Sequence, residues 1–388
     1  MRVELTTRLA KSRIAGFEGR EGHRTPFASA FILQNSPQVR NFLPETPRAS
    51  TLFRLRFLII LALSCLPMRT LIFAFLFAAL AASAFAQTSP ASSAALPFTL
   101  KPLGHGIYAA IDNSKGEAGA NAGFVIGDEA VLVVDTFENV AAAQALLGEI
   151  RMLTKLPIKF VVNTHYHLDH VAGNAIFAKD GATIVAHRNV AAWIHTENLK
   201  FFGKDIKPEQ KSEVENLAAP DVLYDSAIEL RIGAVPVRVQ FFSGHTGGDS
   251  MVIVQQEKTA VVFCGDLFWR QTLPNLIDAS TSPWMETLST LAKFSAESPV
   301  TFVPGHGDVG TSADVTAFRG YLSDLRDWVA AAKKEGKSGP TLTEAVLPQV
   351  KQKYGSWQFF DYFAKRNIAD VEAELTGSKR NPSPASAR

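Results

Sequence analysis

A mixed α/β (α+β) fold is what this sequence predicts, on two observations. Short apolar runs recur between glycine-rich or charged turns, the mark of strands, and they alternate with longer stretches whose apolar residues fall at helical spacing. With 388 residues, 47% of them hydrophobic, the chain can build one large domain or two small ones.

The elements follow in order. After a Ser/Ala/Pro-containing linker (87–100), the core is expected to start near Leu103. Ile107 to Ala110, Asn121 to Ile126 and Val131 to Val134 read as antiparallel strands, and Asn139 to Met152, with Val140, Ala143, Leu147 and Ile150 on one face, as a covering amphipathic helix. Ile158 to Val162 is the next strand, Val171 to Ala178 a helix, Thr183 to Ala186 a strand, and Arg188 to Glu197 a helix opened by His187. Between Asn198 and Asp221 the pattern weakens and charges accumulate, which predicts a helical or looped insertion. Val235 to Phe242 resumes strand alternation, and Met251 to Val254 and Ala260 to Phe263 flank a polar hairpin turn. Trp269 to Pro283 reads as a long loop, Trp284 to Phe294 as a helix and Val300 to Val303 as a strand. Ser312 is the candidate N-cap of a helix from about Asp314 to Lys334. Leu342 to Leu375 has helical character, and its aromatic cluster, Trp357, Phe359, Phe360, Tyr362 and Phe363, is expected to fill core space. These assignments put one domain at 101–335 and a helical extension at 336–380.

Chemistry concentrates in Thr164-His165-Tyr166-His167-Leu168-Asp169-His170, directly after the apolar Ile158 to Val162. Alternate side chains on an extended backbone share a side, so His165 and His167 can reach one ion together. Asp169 and His170 follow where the chain turns into a helix and can address a second. Two further histidines sit in glycine-rich turns after apolar runs, His245 in Ser243-Gly244-His245-Thr246-Gly247-Gly248-Asp249 and His306 in Pro304-Gly305-His306-Gly307. Of the other histidines, His105 reads as a turn residue, His195 as a helix-face residue and His187 as a neighbour at the site's edge; Asp135 reads as a support for the loop.

The series His165-x-His167-x-Asp169-His170, then His245, then Asp266 in Phe263-Cys264-Gly265-Asp266, then His306 resembles the metallo-β-lactamase-fold hydrolase superfamily over roughly Leu103 to Val329. The resemblance implies a four-layer αββα sandwich with a two-zinc site along one edge. It implies that His165, His167 and His245 hold one zinc, that Asp169, His170 and His306 hold the other, and that Asp266 bridges them beside a shared water, with Asp169 as the catalytic carboxylate that aims it. The ligand set with its bridging aspartate is similar to glyoxalase II. Zinc β-lactamases place a cysteine at Asp266 or lack a bridging aspartate, so antibiotic hydrolysis is not the first expectation. The Gly-Arg-containing stretch of glyoxalase II and persulfide dioxygenases is missing from Leu267 to Pro274, so glutathione thioesters are not expected either. The run from Gly265-Asp266-Leu267 through Pro274-Asn275 to Pro304-Gly305-His306-Gly307 is most similar to exported SoxH-type or quinoprotein-relay hydrolases.

The first 86 residues read differently. Met68-Arg69, an apolar run from Leu71 to Ala82, and Ala84-Phe85-Ala86 fit a secretory signal over 68–86, with Gln87 as the first mature residue and a periplasmic or secreted destination. Residues 1–67 are then an upstream extension. A competing reading joins Phe57–Leu66 with Leu71–Ala82 as an anchor, but Pro67 and Arg69 interrupt them and each run is short of the roughly 20 residues a span needs; no stable membrane anchor is expected after cleavage. Residues 1–86 hold 11 of the 39 Lys and Arg and 4 of the 37 Asp and Glu, which leaves the remainder at a net charge of −5. No basic stripe is left for phosphates, which argues against nucleic acid. Cys65 goes with the leader, so Cys264 has no disulfide partner and reads as a small buried strand residue.

The function expected is an exported two-zinc hydrolase of an ester, thioester, lactone or lactam, acting on a small-molecule substrate. A mononuclear iron oxygenase on the same fold is the alternative, because the same nitrogen and oxygen donors suit iron. A non-catalytic periplasmic zinc-binding protein is the third reading. Neither the substrate nor the oligomeric state is written in the pattern.

Overall fold

The computed structural model describes residues 95–295 and 298–383. Its first sheet holds seven strands in chain order, β1 (Phe98–Gly104), β2 (Ile107–Asp112), β3 (Ala122–Ile126), β4 (Val131–Val134), β5 (Ile158–Val162), β6 (Thr183–His187) and β7 (Val222–Tyr224). The first four pair antiparallel and the last three join in parallel. The connections explain the switch: parallel neighbours need a crossover. Here β4 reaches β5 through α1 (Val140–Leu153), and β5 reaches β6 through α2 (Leu168–Val171) and α3 (Asn174–Lys179). Between β6 and β7 lie α4 (Arg188–Trp193), a 3₁₀ turn (Glu197–Phe202) and α5 (Pro208–Glu215).

The second sheet contains β8 (Ala227–Ile232), β9 (Val235–Phe241), β10 (Ser250–Gln255), β11 (Ala260–Trp269) and β12 (Val300–His306), in the order β12-β11-β10-β9-β8. Only β11 and β12 are parallel, joined by α6 (Thr281–Phe294); α7 (Ser312–Lys334), α8 (Gly339–Tyr354) and α9 (Phe360–Thr376) follow. Side-chain alternation along each strand then builds the layers. Leu132 and Val134 of β4 meet Val261 and Phe263 of β11 in the core between the sheets. Val131 and Val133 face α1 through Ala142, Ala143, Leu146 and Ile150. Val262 and Cys264 face Trp284, Phe318 and Leu322 of α6 and α7 on the far side. Three apolar layers make the sandwich αββα. Cys264 is buried there, and burial pushes its thiol up.

Several boundaries differ from expectation. The first strand begins at Phe98, inside the segment read as linker, because Phe98 stacks on Phe137 at 5.2 Å and buries fully; a buried phenyl ring contributes about 1.5–3 kcal/mol. The helix expected over Val171 to Ala178 is two short pieces broken at Gly173, where a Cβ would meet the Thr136 carbonyl oxygen at 2.2 Å and the Ala143 Cβ at 2.4 Å. Glycine lets that turn press against α1. Ser312 is the first helical residue and Thr311 the N-cap, forming a capping box with Asp314. The helix expected to Glu197 stops at Trp193 and gives way to the 3₁₀ turn. The signal (68–86) and the extension before it (1–67) lie outside the described residues. Among the described residues no helix is long and apolar enough to cross a membrane.

Candidate metal centre

Three loops at one edge of the sandwich converge. The first leaves β5: Asp135, at the end of β4, accepts hydrogen bonds from the Thr164 backbone N–H (2.8 Å) and hydroxyl (2.7 Å), which pins the start of the His165 loop. The second is the turn of His245, closed by Asp249, which accepts from the Thr246 backbone N–H (2.7 Å) and hydroxyl (2.6 Å). The third carries His306 and is held by Asn121, whose side-chain amide donates to the carbonyls of Pro304 (2.9 Å) and Gly307 (2.8 Å). Gly305 is obligatory in this turn, since a Cβ would lie 1.9 Å from Asp266 Oδ1.

Donor atoms of His165, His167, His245 and Asp266 lie within 4.8 Å of one another, and those of Asp169, His170 and His306 do likewise. Asp266 stands between the groups. Its Oδ2 is 3.1 Å from His245 Nε2 and 3.6 Å from His165 Nε2, while its Oδ1 is 3.1 Å from His170 Nε2 and 3.5 Å from His306 Nε2. Asp169 Oδ2 is 3.3 Å from His306 Nε2 and 3.7 Å from His170 Nε2. All seven sequence-predicted donors therefore meet in one cluster.

Hydrogen bonds behind three of the rings fix which nitrogen each of them turns inward. The Thr164 hydroxyl spends its proton on Asp135, so it accepts from His165 Nδ1–H at 3.1 Å and leaves His165 Nε2 bare. His170 Nδ1–H donates to Asp135 Oδ2 at 2.9 Å, which turns His170 Nε2 toward Asp266 Oδ1; against its burial, the carboxylates of Asp266, Asp169 and Asp135 hold this imidazole well above its ordinary range. His167 Nε2–H donates to Asp278 Oδ2 at 3.2 Å, so its Nδ1 faces His245 Nε2 at 3.0 Å. Asp278 is itself held by Lys200 Nζ at 2.5 Å and by the Tyr166 hydroxyl. Outer partners that fix tautomer and ring orientation in this way are what metal-binding histidines have.

The polar accounting shows what the cluster lacks. Buried and without a hydrogen-bond partner are His165 Nε2, His170 Nε2, His306 Nε2 and Asp266 Oδ1, four of the inward-facing atoms. Native interiors rarely leave such atoms unpaired. Burial, reinforced by His170, holds His165 well below the ordinary imidazole range, and burial likewise lowers His167; both are neutral rings with a lone pair to give. Against its burial, the surrounding histidines hold Asp266 well below the usual carboxylate range. Inward-facing imidazole nitrogens, an ionised carboxylate between the two groups and orphaned buried atoms fit divalent cations such as zinc.

A cavity of about 420 Å³ opens over the cluster, lined by His167, Asp169, Asp266 and His306 and walled by Phe201, Trp269, Phe359, Tyr362 and Phe363. The wall corrects the expectation that the C-terminal aromatics only fill core: Trp357 and Phe360 pack on the inner cluster, whereas Phe359 and Tyr362 are 46% and 57% exposed at the cavity. Trp269 stacks on His306 at 4.0 Å. His187 is not beside the cluster; it stacks on Phe241 and reaches the Asp225 carbonyl. His105 occupies a left-handed turn and His195 bonds the Val214 carbonyl. Asp278 and Lys200 were missed, and no local spacing marks either.

Residues 116–306 match the family model described as the metallo-beta-lactamase superfamily. A hydroxyacylglutathione hydrolase of Methylococcus capsulatus is 26% identical over 190 residues, covering 49% of this chain and 64% of that protein. A linear primary-alkylsulfatase of a Pseudomonas species is 23% identical over 214 residues, covering 46% of this chain and 40% of that protein. The chain thus spans less than two thirds of either relative's length. Among solved structures, a metallo-beta-lactamase from Pontibacter korlensis is similar at a TM-score of 0.48 and 22% identity, covering 58% of this chain and 99% of that one.

Proposed function

We propose that the protein, whose residues 116–306 match the family model of the metallo-β-lactamase superfamily, is a metal-dependent hydrolase of a small-molecule ester, thioester, lactone or lactam, working with two zinc ions. His165, His167 and His245 would hold one ion and Asp169, His170 and His306 the other, with Asp266 shared. The observation that carries the reading is the orientation of Asp266, whose two oxygens face two separate histidine groups. The hydrolase and sulfatase relatives favour bond hydrolysis. Two divalent cations bound there bring a water toward ionisation at neutral pH and polarise the substrate oxygen.

The chain's own residues supply the rest. Asp169 is the least buried of the seven donors, with 28% of its side chain exposed, and lines the cavity; from there its carboxylate would accept a hydrogen bond from the attacking water and aim it. Trp269, Phe359 and Phe363 exclude bulk water from one side. The leader-like sequence Met68 to Ala86 supports export, to be checked by N-terminal sequencing of the native protein, which should begin at Gln87.

The test pairs elemental analysis of the purified protein with assays on esters, thioesters, lactones and a chromogenic cephalosporin. Zinc should be present at two per chain, and His165→Ala and Asp169→Ala should each lose at least a hundredfold in kcat/KM, on the order reported for essential catalytic groups. Full turnover in either variant without bound metal would overturn the reading, and iron in place of zinc would redirect it to oxygenase chemistry.

A further inference from the structure

Large apolar side chains left in water are uninformative singly, but not when they gather. Phe201 (38% exposed), Phe359 (46%) and Tyr362 (57%) all line the cavity over the cluster. Phe359 is held there at a cost. Its φ of 59° is one that bulky residues rarely adopt, and the preceding residue is fastened by Gln358 N–H to Gln271 O (3.0 Å) and Leu273 N–H to Gln358 O (2.9 Å). The result sets its ring 6.1 Å from His306 and 6.5 Å from Trp269.

A second cavity adjoins this wall. At about 400 Å³, it shares Phe201, Asn275, Tyr362 and Phe363 with the first and is lined in addition by Lys200, Arg366 and Asp370. Tyr362, Arg366 and Asp370 stand four residues apart, on one face of α9. The Arg366 guanidinium lies 4.1 Å from the centre of the Tyr362 ring. Lys200 is committed to Asp278 at 2.5 Å and Glu197 at 3.7 Å. Asp370, half-buried, has Lys379 as its leading opposite charge and Arg366 only after it. Arg366 is exposed and makes no ion pair within 4 Å among the described residues, which leaves its charge and fixed fork of donors for a ligand.

We propose that the substrate is amphipathic, with its reacting group at the cluster, an aromatic or alkyl body between Phe201, Phe359 and Tyr362, and a distal carboxylate, sulfate or sulfonate bound by Arg366. The bond that is cleaved rests on the hydrolase reading; the binding of such a molecule does not.

Calorimetric titration separates the two. The metal-loaded full chain is titrated with octyl sulfonate and with octanol, in wild type, Arg366→Gln, Arg366→Lys and Phe359→Ala. Arg366→Gln should weaken the sulfonate about tenfold or more, as for loss of a charge-assisted contact, and leave octanol unchanged. Arg366→Lys should recover part of the loss, and Phe359→Ala should weaken both ligands. Wild-type affinity for the sulfonate in Arg366→Gln, or for both ligands in Phe359→Ala, overturns the proposal. In parallel, acyl thioesters ending in a methyl or a carboxylate are assayed. Octyl sulfonate binding that depends on Arg366, without hydrolysis of any ester, thioester, lactone or cephalosporin by the zinc-loaded protein, sustains this cleft and sinks the hydrolase reading. Hydrolysis of both thioesters with no dependence on Arg366 does the reverse.

Discussion

His167 is aimed by a carboxylate that belongs to no motif. Asp278 is buried and accepts a hydrogen bond from His167 Nε2–H at 3.2 Å, and Lys200 and the Tyr166 hydroxyl donate to the same carboxylate. Against the effect of burial, His167 and Lys200 hold its carboxyl below the ordinary range, so it stays a charged acceptor. Asp135 does the same for His170 and, through Thr164, for His165. Losing such outer partners typically costs 10–100-fold in metal affinity. Asp278→Ala should weaken one metal by about that factor, and Asp135→Ala should weaken both, as read by chelator competition; unchanged affinity in Asp278→Ala would show that packing alone orients His167. The contrast with the seven donors is instructive. Four of them sit within six consecutive positions, and so dense a run of His and Asp is legible by residue type alone. Asp278 lies 111 residues from the ring it serves, and nothing local relates the two.

At the level of elements, α7 shows what a cap does. Asp314 reaches back to the Thr311 backbone N–H and hydroxyl, both at 2.8 Å, and pairs with Arg270 at 3.1 Å. Burial raises its carboxyl, but the Thr311 donors and Arg270 outweigh burial and leave it below the usual value of 3.8. A depressed folded value means the contribution is complete above 3.8 and is lost as pH falls through the lower folded value. Asp314→Ala should therefore cost about 1 kcal/mol near neutrality, with the gap in Tm to wild type closing below about pH 4; a gap independent of pH would mean the carboxylate's charge is irrelevant. Legibility follows burial at this scale too. Strands such as β4 and β11, buried along their whole length, read as apolar runs. The edge strand β7 exposes Val222 and Leu223, and its three residues carry no pattern against the charged insertion before it. In α9 the spacing that sends Ala364, Ile368 and Val371 into the core sends Tyr362 and Arg366 to the cleft, so aromatic content alone could not say which side a ring would take.

Across the whole molecule the candidate site is a seam. His165, His167, Asp169 and His170 follow β5 of the first sheet, whereas His245 follows β9, Asp266 lies in β11 and His306 ends β12 of the second. The donors converge only when the two sheets are packed, so an unfolded chain offers the cations no comparable cage. A ligand that binds only the folded state stabilises it by about 4 kcal/mol when free ligand exceeds Kd a thousandfold. At roughly 2–4 °C per kcal/mol for a domain of this size class, saturating zinc should raise Tm by on the order of 10 °C over the chelated protein. Asp266→Ala should abolish most of that shift, because it removes a carboxylate that faces both groups, whereas His187→Ala, whose ring packs on Tyr224 and Phe241, should leave it intact. A Tm indifferent to zinc and chelator alike would mean that the histidines and carboxylates packed at this seam are satisfied by protons and hydrogen bonds, and that metal is not what joins the two sheets there.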